Sequence, residues 1–166
     1  MTKPTPWRRF SDGFFATGTS LALVPMATES WTWSADLVIP SETGAGKRVV
    51  DDLVEQLAVH GWSEHDVHSV HLALEEALVN AIRHGNRSDA EKRVFVSCKL
   101  SAARLWIQIR DEGAGFNPED VPDPTDPERL EIPSGRGIML MRAFMSRVEY
   151  NDVGNCVEME KQRVGQ

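Results

Sequence analysis

The sequence is poor in the residues that would mark a disulfide-stabilised or a membrane-spanning protein. Only two cysteines, Cys98 and Cys156, occur among 166 residues, which gives neither a disulfide framework nor a zinc-ligand spacing. No apolar run reaches the roughly 18–20 residues that a membrane-spanning helix requires. Composition therefore favours a reduced, cytosolic protein without a membrane anchor.

Basic residues are also in short supply. Lys and Arg number 18 against 25 Asp and Glu, which leaves a formal net charge of −7. An acidic chain is poorly suited to contacting a phosphate backbone, so direct nucleic-acid binding is disfavoured. The hydrophobic fraction of 41% and the charged fraction of 26% are ordinary for a folded globular domain.

Pattern changes along the chain predict one domain with two short flanking segments. Residues 1–31 read as a loosely ordered N-terminal extension; their basic and apolar stretches superficially resemble a secretory signal, but Thr, Gly and Ser interrupt the apolar part. Residues 32–162 carry the regular periodicities of a folded domain, and residues 163–166 form a tail.

Periodicity and capping residues within the domain predict three helices and five strands. Ser41 or Thr43 is expected to cap the first helix and Ser63 the second, which Gly85 and Asn86 close. The predicted strands span residues 33–39, 93–100, 105–110, 148–151 and 156–161, and the predicted helices span 43–60, 64–84 and 138–145. Together they predict an α+β two-layer sandwich with helices on one face of a mixed, largely antiparallel sheet.

The first chemical motif lies on the second predicted helix. Glu76 and Asn80 are four residues apart and share one face, well away from the apolar stripe. A carboxylate can accept a proton from a nucleophile, and an amide oxygen is a ligand suited to Mg²⁺. A plain solvated helix face is the alternative interpretation of this motif taken alone.

Two glycine-containing motifs follow. Asp111 ends a predicted strand and precedes Gly113 and Gly115; a strand-end carboxylate can accept a hydrogen bond from an exocyclic amine such as that of adenine. Gly135 and Gly137 open the last helix, where free N–H groups favour an anion, and Arg136 between them can pair with phosphate. Residues 112–135 contain five of the nine prolines and no periodicity, which indicates a functional loop such as a lid.

The three motifs, in this order, resemble the N box and the two glycine boxes of the GHKL (Bergerat) ATP-binding fold shared by DNA gyrase, MutL and histidine kinases. The succession of a strand, Pro40-Ser41, a helix, and then Glu-x-x-x-Asn-Ala-x-x-His-Gly over residues 76–85 resembles one branch more closely. That branch is the anti-sigma factor serine/threonine kinases, and the resemblance covers about residues 32–162.

The resemblance implies a role for each matching residue. Asn80 would hold Mg²⁺ bridging the phosphates, Glu76 would be the general base for a serine hydroxyl, and Asp111 would bind the adenine amino group. The other residues expected at the ATP are His84, Gly113, Gly115, Phe116, Gly135, Arg136, Gly137 and Ile138. Pro133 stands where some members carry a basic residue, a charge that Arg136 or Arg129 could replace.

The function that the resemblance implies is an ATP-dependent protein serine kinase acting as an anti-sigma factor. Its partners would be an anti-anti-sigma protein, phosphorylated on serine, a sigma factor, and a second copy in a homodimer. Two alternatives stay open: an ATP-binding partner-switch module with little or no kinase activity, and a detached histidine-kinase catalytic domain. The second is disfavoured because residues 1–31 lack the long amphipathic period of a dimerisation helix.

Two further patterns are weaker. Residues 44–47 imitate part of a P-loop, but Ser41 and Arg48 stand where its first glycine and its Ser or Thr belong. His65, His68 and His71 recur every three residues, a step that drifts around a helix and disfavours a shared metal.

Overall fold

The computed structural model describes residues 30–117 and 136–164. The elements in chain order are β1 (Trp33–Pro40), α1 (Thr43–Val59), α2 (Glu64–Val79) continued by a π-helical turn (Asn80–Gly85), β2 (Arg93–Leu100), β3 (Arg104–Arg110), α3 (Arg136–Phe144), β4 (Arg147–Tyr150) and β5 (Cys156–Gln162). Most of the predicted N-terminal extension, most of the predicted lid loop and Gly135 lie outside the described residues. No helix within the described part of the chain is long and apolar enough to cross a membrane.

The five strands form one sheet in the order β1-β2-β3-β5-β4. All four pairings are antiparallel, so the expected largely antiparallel arrangement is confirmed, and the sheet is not mixed. The register places Cys98 opposite Ile107 and Ile107 opposite Met159, all three buried. Because side chains alternate between the two faces of a strand, these three residues and those two positions away along each strand form the inner face of the sheet.

The core lies between this inner face and the helices, which confirms the predicted α+β sandwich. Leu53 and Leu57 of α1 and Leu74 of α2 are fully buried, and each such side chain contributes about 1.5–3 kcal/mol on burial. α2 also contacts α3 on the same side of the sheet. Cys98 of β2 is 1% exposed and belongs to this core, and its burial raises the pKa of the thiol to about 12.

The two predicted helix caps have different outcomes. Ser63 caps α2 as predicted, because its hydroxyl accepts a hydrogen bond from the Asp66 N–H at 3.1 Å. The prediction of Ser41 or Thr43 as the cap of α1 is wrong: the N-cap residue is Glu42, whose side chain makes no capping bond. Residues 44–47 lie in the first turns of α1, which agrees with a helix rather than a P-loop.

A buried amide joins four segments at one end of the sheet. The Asn86 side chain is fully buried; its Nδ2 donates to Ser41 Oγ at 2.7 Å and to the Arg93 carbonyl at 2.8 Å. Its Oδ1 accepts from the Glu112 N–H at 2.8 Å. Ser41 in turn donates to the Lys92 carbonyl at 3.0 Å, which is why its hydroxyl does not cap α1.

We predict that Asn86→Ala lowers the free energy of unfolding by about 2 kcal/mol or more, because partly buried backbone groups of Arg93 and Glu112 lose their partner. The measurement is urea unfolding followed by circular dichroism. Gln56→Ala, at a half-buried position on α1, is the control and should change stability by less than about 0.5 kcal/mol. Equal stability of the two variants would contradict the proposed role of this amide.

Candidate functional site

A cavity of about 720 Å³ opens where the end of α2, the residues after β3, the start of α3 and the β4–β5 hairpin meet. Eight residues that the sequence motifs assigned to a ligand line it: Glu76, Asn80, His84, Asp111, Gly115, Phe116, Gly137 and Ile138. Gly113 lies directly beside it, against Asp111. Arg136 begins α3 as an exposed residue outside the described lining. The three motifs, 76–85, 111–116 and 136–138, therefore converge on one cavity.

One end of the cavity is formed by α2 and the start of α3. Glu76 and Asn80 stand one turn apart, both half-buried. A Cβ built on Gly137 would lie 2.7 Å from Glu76 Oε2 and 3.4 Å from Asn80 Nδ2. A glycine at position 137 therefore lets α3 begin against a carboxylate and an amide.

The last turn of α2 is wider than an α-helix. Residues 80–85 form a π-helical turn, and beyond it the Asn86 N–H donates to the Ala81 carbonyl at 2.8 Å. Single π-helical turns are rare and occur frequently at functional sites. This turn carries His84 on the exposed rim of the cavity and directs Gly85 toward Asp111.

The opposite end of the cavity holds a buried carboxylate. Asp111 is 7% exposed, and its Oδ1 accepts from the Gly113 N–H at 2.7 Å. Burial raises the pKa of Asp111, while the Gly113 hydrogen bond and the charges of Lys92 and Arg110 oppose that rise. A carboxylate held this way has acceptor capacity left for a donor that enters the cavity.

Glycines allow the backbone to close around this carboxylate. A Cβ on Gly85 would lie 2.5 Å from both Asp111 carboxylate oxygens, and one on Gly113 would lie 2.7 Å from Asp111 Oδ1. Gly115 and Gly154 adopt φ values of +77° and +78°, which side chains rarely tolerate. The cavity wall around Asp111 is therefore formed by backbone segments that pack too closely to leave room for side chains at these glycines.

A cation in the cavity would need ligands beyond the protein. No group of three or more His, Cys, Asp or Glu side chains among the described residues could hold a metal ion. Mg²⁺ characteristically takes one or two protein oxygens and completes its shell with phosphate oxygens and water. The Asn80 amide oxygen is a ligand of that kind and lines the cavity, so the residues present fit a magnesium–phosphate ligand.

Sequence reasoning missed Tyr150, which also lines the cavity. Its ring packs edge-to-face on Phe116, with ring centroids 5.1 Å apart at 72°. Gly154, in the turn between β4 and β5, was likewise not expected at the site, although it faces the backbone of Phe116. The signal that could have identified Tyr150 is an aromatic residue at the end of a short strand that directly follows a glycine-opened helix.

Comparison with known proteins places these features in a family. The Histidine kinase-like ATPase domain family matches residues 39–161, more than half of the chain. Anti-sigma F factors of Bacillus thuringiensis and Bacillus mycoides are 41% identical over 76 residues, which are 45% of this chain. The chain spans about half the length of these relatives, since the match covers 52% of them.

A solved structure shows the same fold. The crystal structure of the RsbU and RsbW domains of a Mycobacterium tuberculosis protein aligns with a TM-score of 0.55 and 17% sequence identity. The alignment covers 80% of this chain and 32% of that one.

We predict opposite effects for two glycine-to-alanine changes. Gly85→Ala drives a methyl group into Asp111 and should lower the free energy of unfolding by about 1–3 kcal/mol. Gly44→Ala, in the first turn of α1 with nothing within 4 Å of the added Cβ, should leave stability unchanged or raise it by up to about 1 kcal/mol. Thermal unfolding of both variants tests this, and a Gly85→Ala protein as stable as Gly44→Ala would show that the contact is not tight.

Proposed function

The chain belongs to the histidine kinase-like ATPase family, and from that premise we propose that it is an ATP-dependent protein serine kinase acting as an anti-sigma factor. The observation that carries the proposal is that one cavity holds Glu76 and Asn80 at one end and Asp111 at the other. The proposed substrate is a serine of an anti-anti-sigma protein, and the proposed second partner is a sigma factor that a homodimer sequesters in the cytoplasm. The similarity to anti-sigma F factors supports this choice of partners.

The proposed adenine pocket is the Asp111 end. The exocyclic amine of adenine donates to the Asp111 carboxylate, whereas guanine presents a carbonyl oxygen at the equivalent position and would repel it. Because the carboxylate is 7% exposed, water competes weakly for it and the discrimination is correspondingly strong. Gly113, Gly115 and Phe116 complete this pocket.

The proposed phosphate end lies between Asn80 and the start of α3. The Asn80 amide oxygen would hold Mg²⁺, which when bound neutralises phosphate charge and orients the terminal phosphoryl group. The N–H groups that open α3 would donate to phosphate oxygens, and Gly137 lets them approach. The family motif also predicts contacts to the phosphates or the rest of the ATP from four further residues: His84, Gly135, Arg136 and Ile138.

The proposed general base is Glu76. Its carboxylate lies one helical turn from Asn80, so it can accept the proton of a serine hydroxyl that approaches the terminal phosphoryl group. Phosphoryl transfer depends chiefly on positioning and charge neutralisation, and a positioned base adds about 10²–10⁴-fold. Binding and transfer therefore rest on different residues, which makes them separable by mutation.

We predict that Mg-ATP and Mg-ADP raise the melting temperature of the protein, whereas Mg-GTP does not. Ligand at a hundredfold excess over its dissociation constant stabilises by about 2.7 kcal/mol. Asp111→Asn should abolish the preference for adenine nucleotides, and Asp51→Asn, on the exposed side of α1, should retain it. Equal stabilisation of the parent by ATP and GTP would rule out the adenine pocket.

We predict that Glu76→Gln leaves Mg-ATP affinity within about twofold of the parent while serine phosphorylation falls by about 10²–10⁴-fold. Asn80→Ala should instead weaken magnesium-dependent nucleotide binding. Glu75→Gln is the matched control, because Glu75 is the neighbouring, exposed carboxylate and should change neither quantity. The assay is labelled-phosphate transfer to a co-purified anti-anti-sigma protein beside a binding titration.

Two results of that assay would revise the proposal. A parent protein that binds ATP and its partner but transfers no phosphate is a partner-switch module rather than a kinase. Transfer by Glu76→Gln at the parent rate would keep the kinase and remove Glu76 as its base.

A further inference from the structure

The chain contains one tyrosine, Tyr150, and it lies in the cavity wall at the end of β4. Its ring is held edge-to-face against Phe116, and its hydroxyl oxygen is buried. Within the described part of the chain no hydrogen bond of ordinary geometry reaches that hydroxyl, although the Asn80 side chain lies beside it. A buried polar group without a partner is unfavourable, so its retention needs a reason beyond packing.

The polar groups that act on this hydroxyl come from both ends of the cavity. Burial raises the pKa of Tyr150 to about 12, while Arg142 and the Asn80 amide lower it and Asp111 adds to the rise. Arg142 and Asp111 act on the hydroxyl through their charges, whereas Asn80 acts through a hydrogen bond. Asn80 is also the proposed magnesium ligand, so the hydroxyl is linked to the metal site.

The Asn80 amide has two ends of nearly equal size and opposite chemistry. The nitrogen donates hydrogen bonds, and only the carbonyl oxygen can bind a cation. Packing alone distinguishes poorly between the two orientations, so a hydrogen bond to the nitrogen is needed to select one. An acceptor shielded from water holds such a hydrogen bond most firmly, and the buried Tyr150 hydroxyl oxygen beside Asn80 is an acceptor of that kind.

We propose that Tyr150 is a positioning residue for Asn80: its phenol oxygen accepts a hydrogen bond from Asn80 Nδ2 and thereby turns the amide oxygen toward the bound cation. This inference rests on the proposed function. Outer partners of metal ligands commonly change metal affinity by about 10–100-fold when they are removed. In this role Tyr150 acts through Asn80 and not on the reacting atoms.

The test compares ADP binding to the parent and to Tyr150→Phe, with Mg²⁺ and with EDTA, by calorimetry. Tyr150→Phe removes one oxygen and keeps the ring against Phe116. ADP affinity in EDTA should stay within about twofold, and the enhancement of affinity by Mg²⁺ should fall about tenfold or more. Phe116→Leu is the comparison variant, because loss of its ring should affect binding equally with and without Mg²⁺.

A second measurement uses the intact side chain. Because Tyr150 is the sole tyrosine, biosynthetic incorporation of 3-fluorotyrosine gives a single ¹⁹F resonance from this position. Addition of Mg²⁺ to the ADP-bound protein should shift that resonance, and the shift should be absent in Asn80→Ala. This readout does not depend on whether Tyr150→Phe folds.

Several results would overturn the inference. They are an unchanged Mg²⁺ enhancement in Tyr150→Phe, an equal loss of ADP affinity with and without Mg²⁺, and a ¹⁹F shift that persists in Asn80→Ala. A parent protein that binds no ADP would instead contradict the proposed function, and this inference would fall with it. If the parent binds ADP more tightly with Mg²⁺ than without it, the nucleotide site stands, and the Tyr150→Phe result then tests only the role of Tyr150.

Discussion

The close approach of the end of α2 to the residues after β3 is the contact on which the cavity depends. The Gly85 backbone lies against the Asp111 carboxylate, and Gly113 lies against both. Next to this contact, the Asn86 side chain holds the Glu112 N–H at 2.8 Å, so the helix end and the strand end cannot separate independently. The depth of the cavity and the burial of Asp111 both follow from this contact.

Stability and recognition are supplied by different parts of the fold. The inner face of the sheet and the apolar stripes of α1 and α2 bury the large side chains. The cavity wall, in contrast, contains glycines and a buried carboxylate, which add little apolar burial. A polar contact joins the start of α2 to β5 and α3. The buried Asp66 pairs with Lys161 at 3.7 Å, and Lys161 also donates to the Phe144 carbonyl at 2.8 Å.

Features set by neighbouring residues could be predicted from the sequence, and features set by distant partners could not. Ser63 caps α2 through a residue three positions away, and the strand alternation in 93–100 is equally local. Ser41 was assigned to the wrong role because its partners, Asn86 and Lys92, are 45 and 51 positions away. Convergence of the three motifs was expected through resemblance, whereas the position of Tyr150 depends on its packing against Phe116, from the segment after β3.

The π-helical turn has a consequence for how this chain can vary in length. A π turn contains one more residue than the α-helical turn it replaces, so residues 80–85 hold an insertion that the helix accommodates by widening. Deletion of a single residue within this turn would restore an ordinary α-helical turn and keep the residues beyond it near their present direction, because the widened turn already absorbs the extra residue. Deletion of a residue in the regular part of α2 would instead rotate everything beyond it by about 100° about the helix axis, so that Gly85 would face away from Asp111 and Asn86 away from Ser41. The π-helical turn should therefore tolerate the loss of one residue better than the rest of this helix.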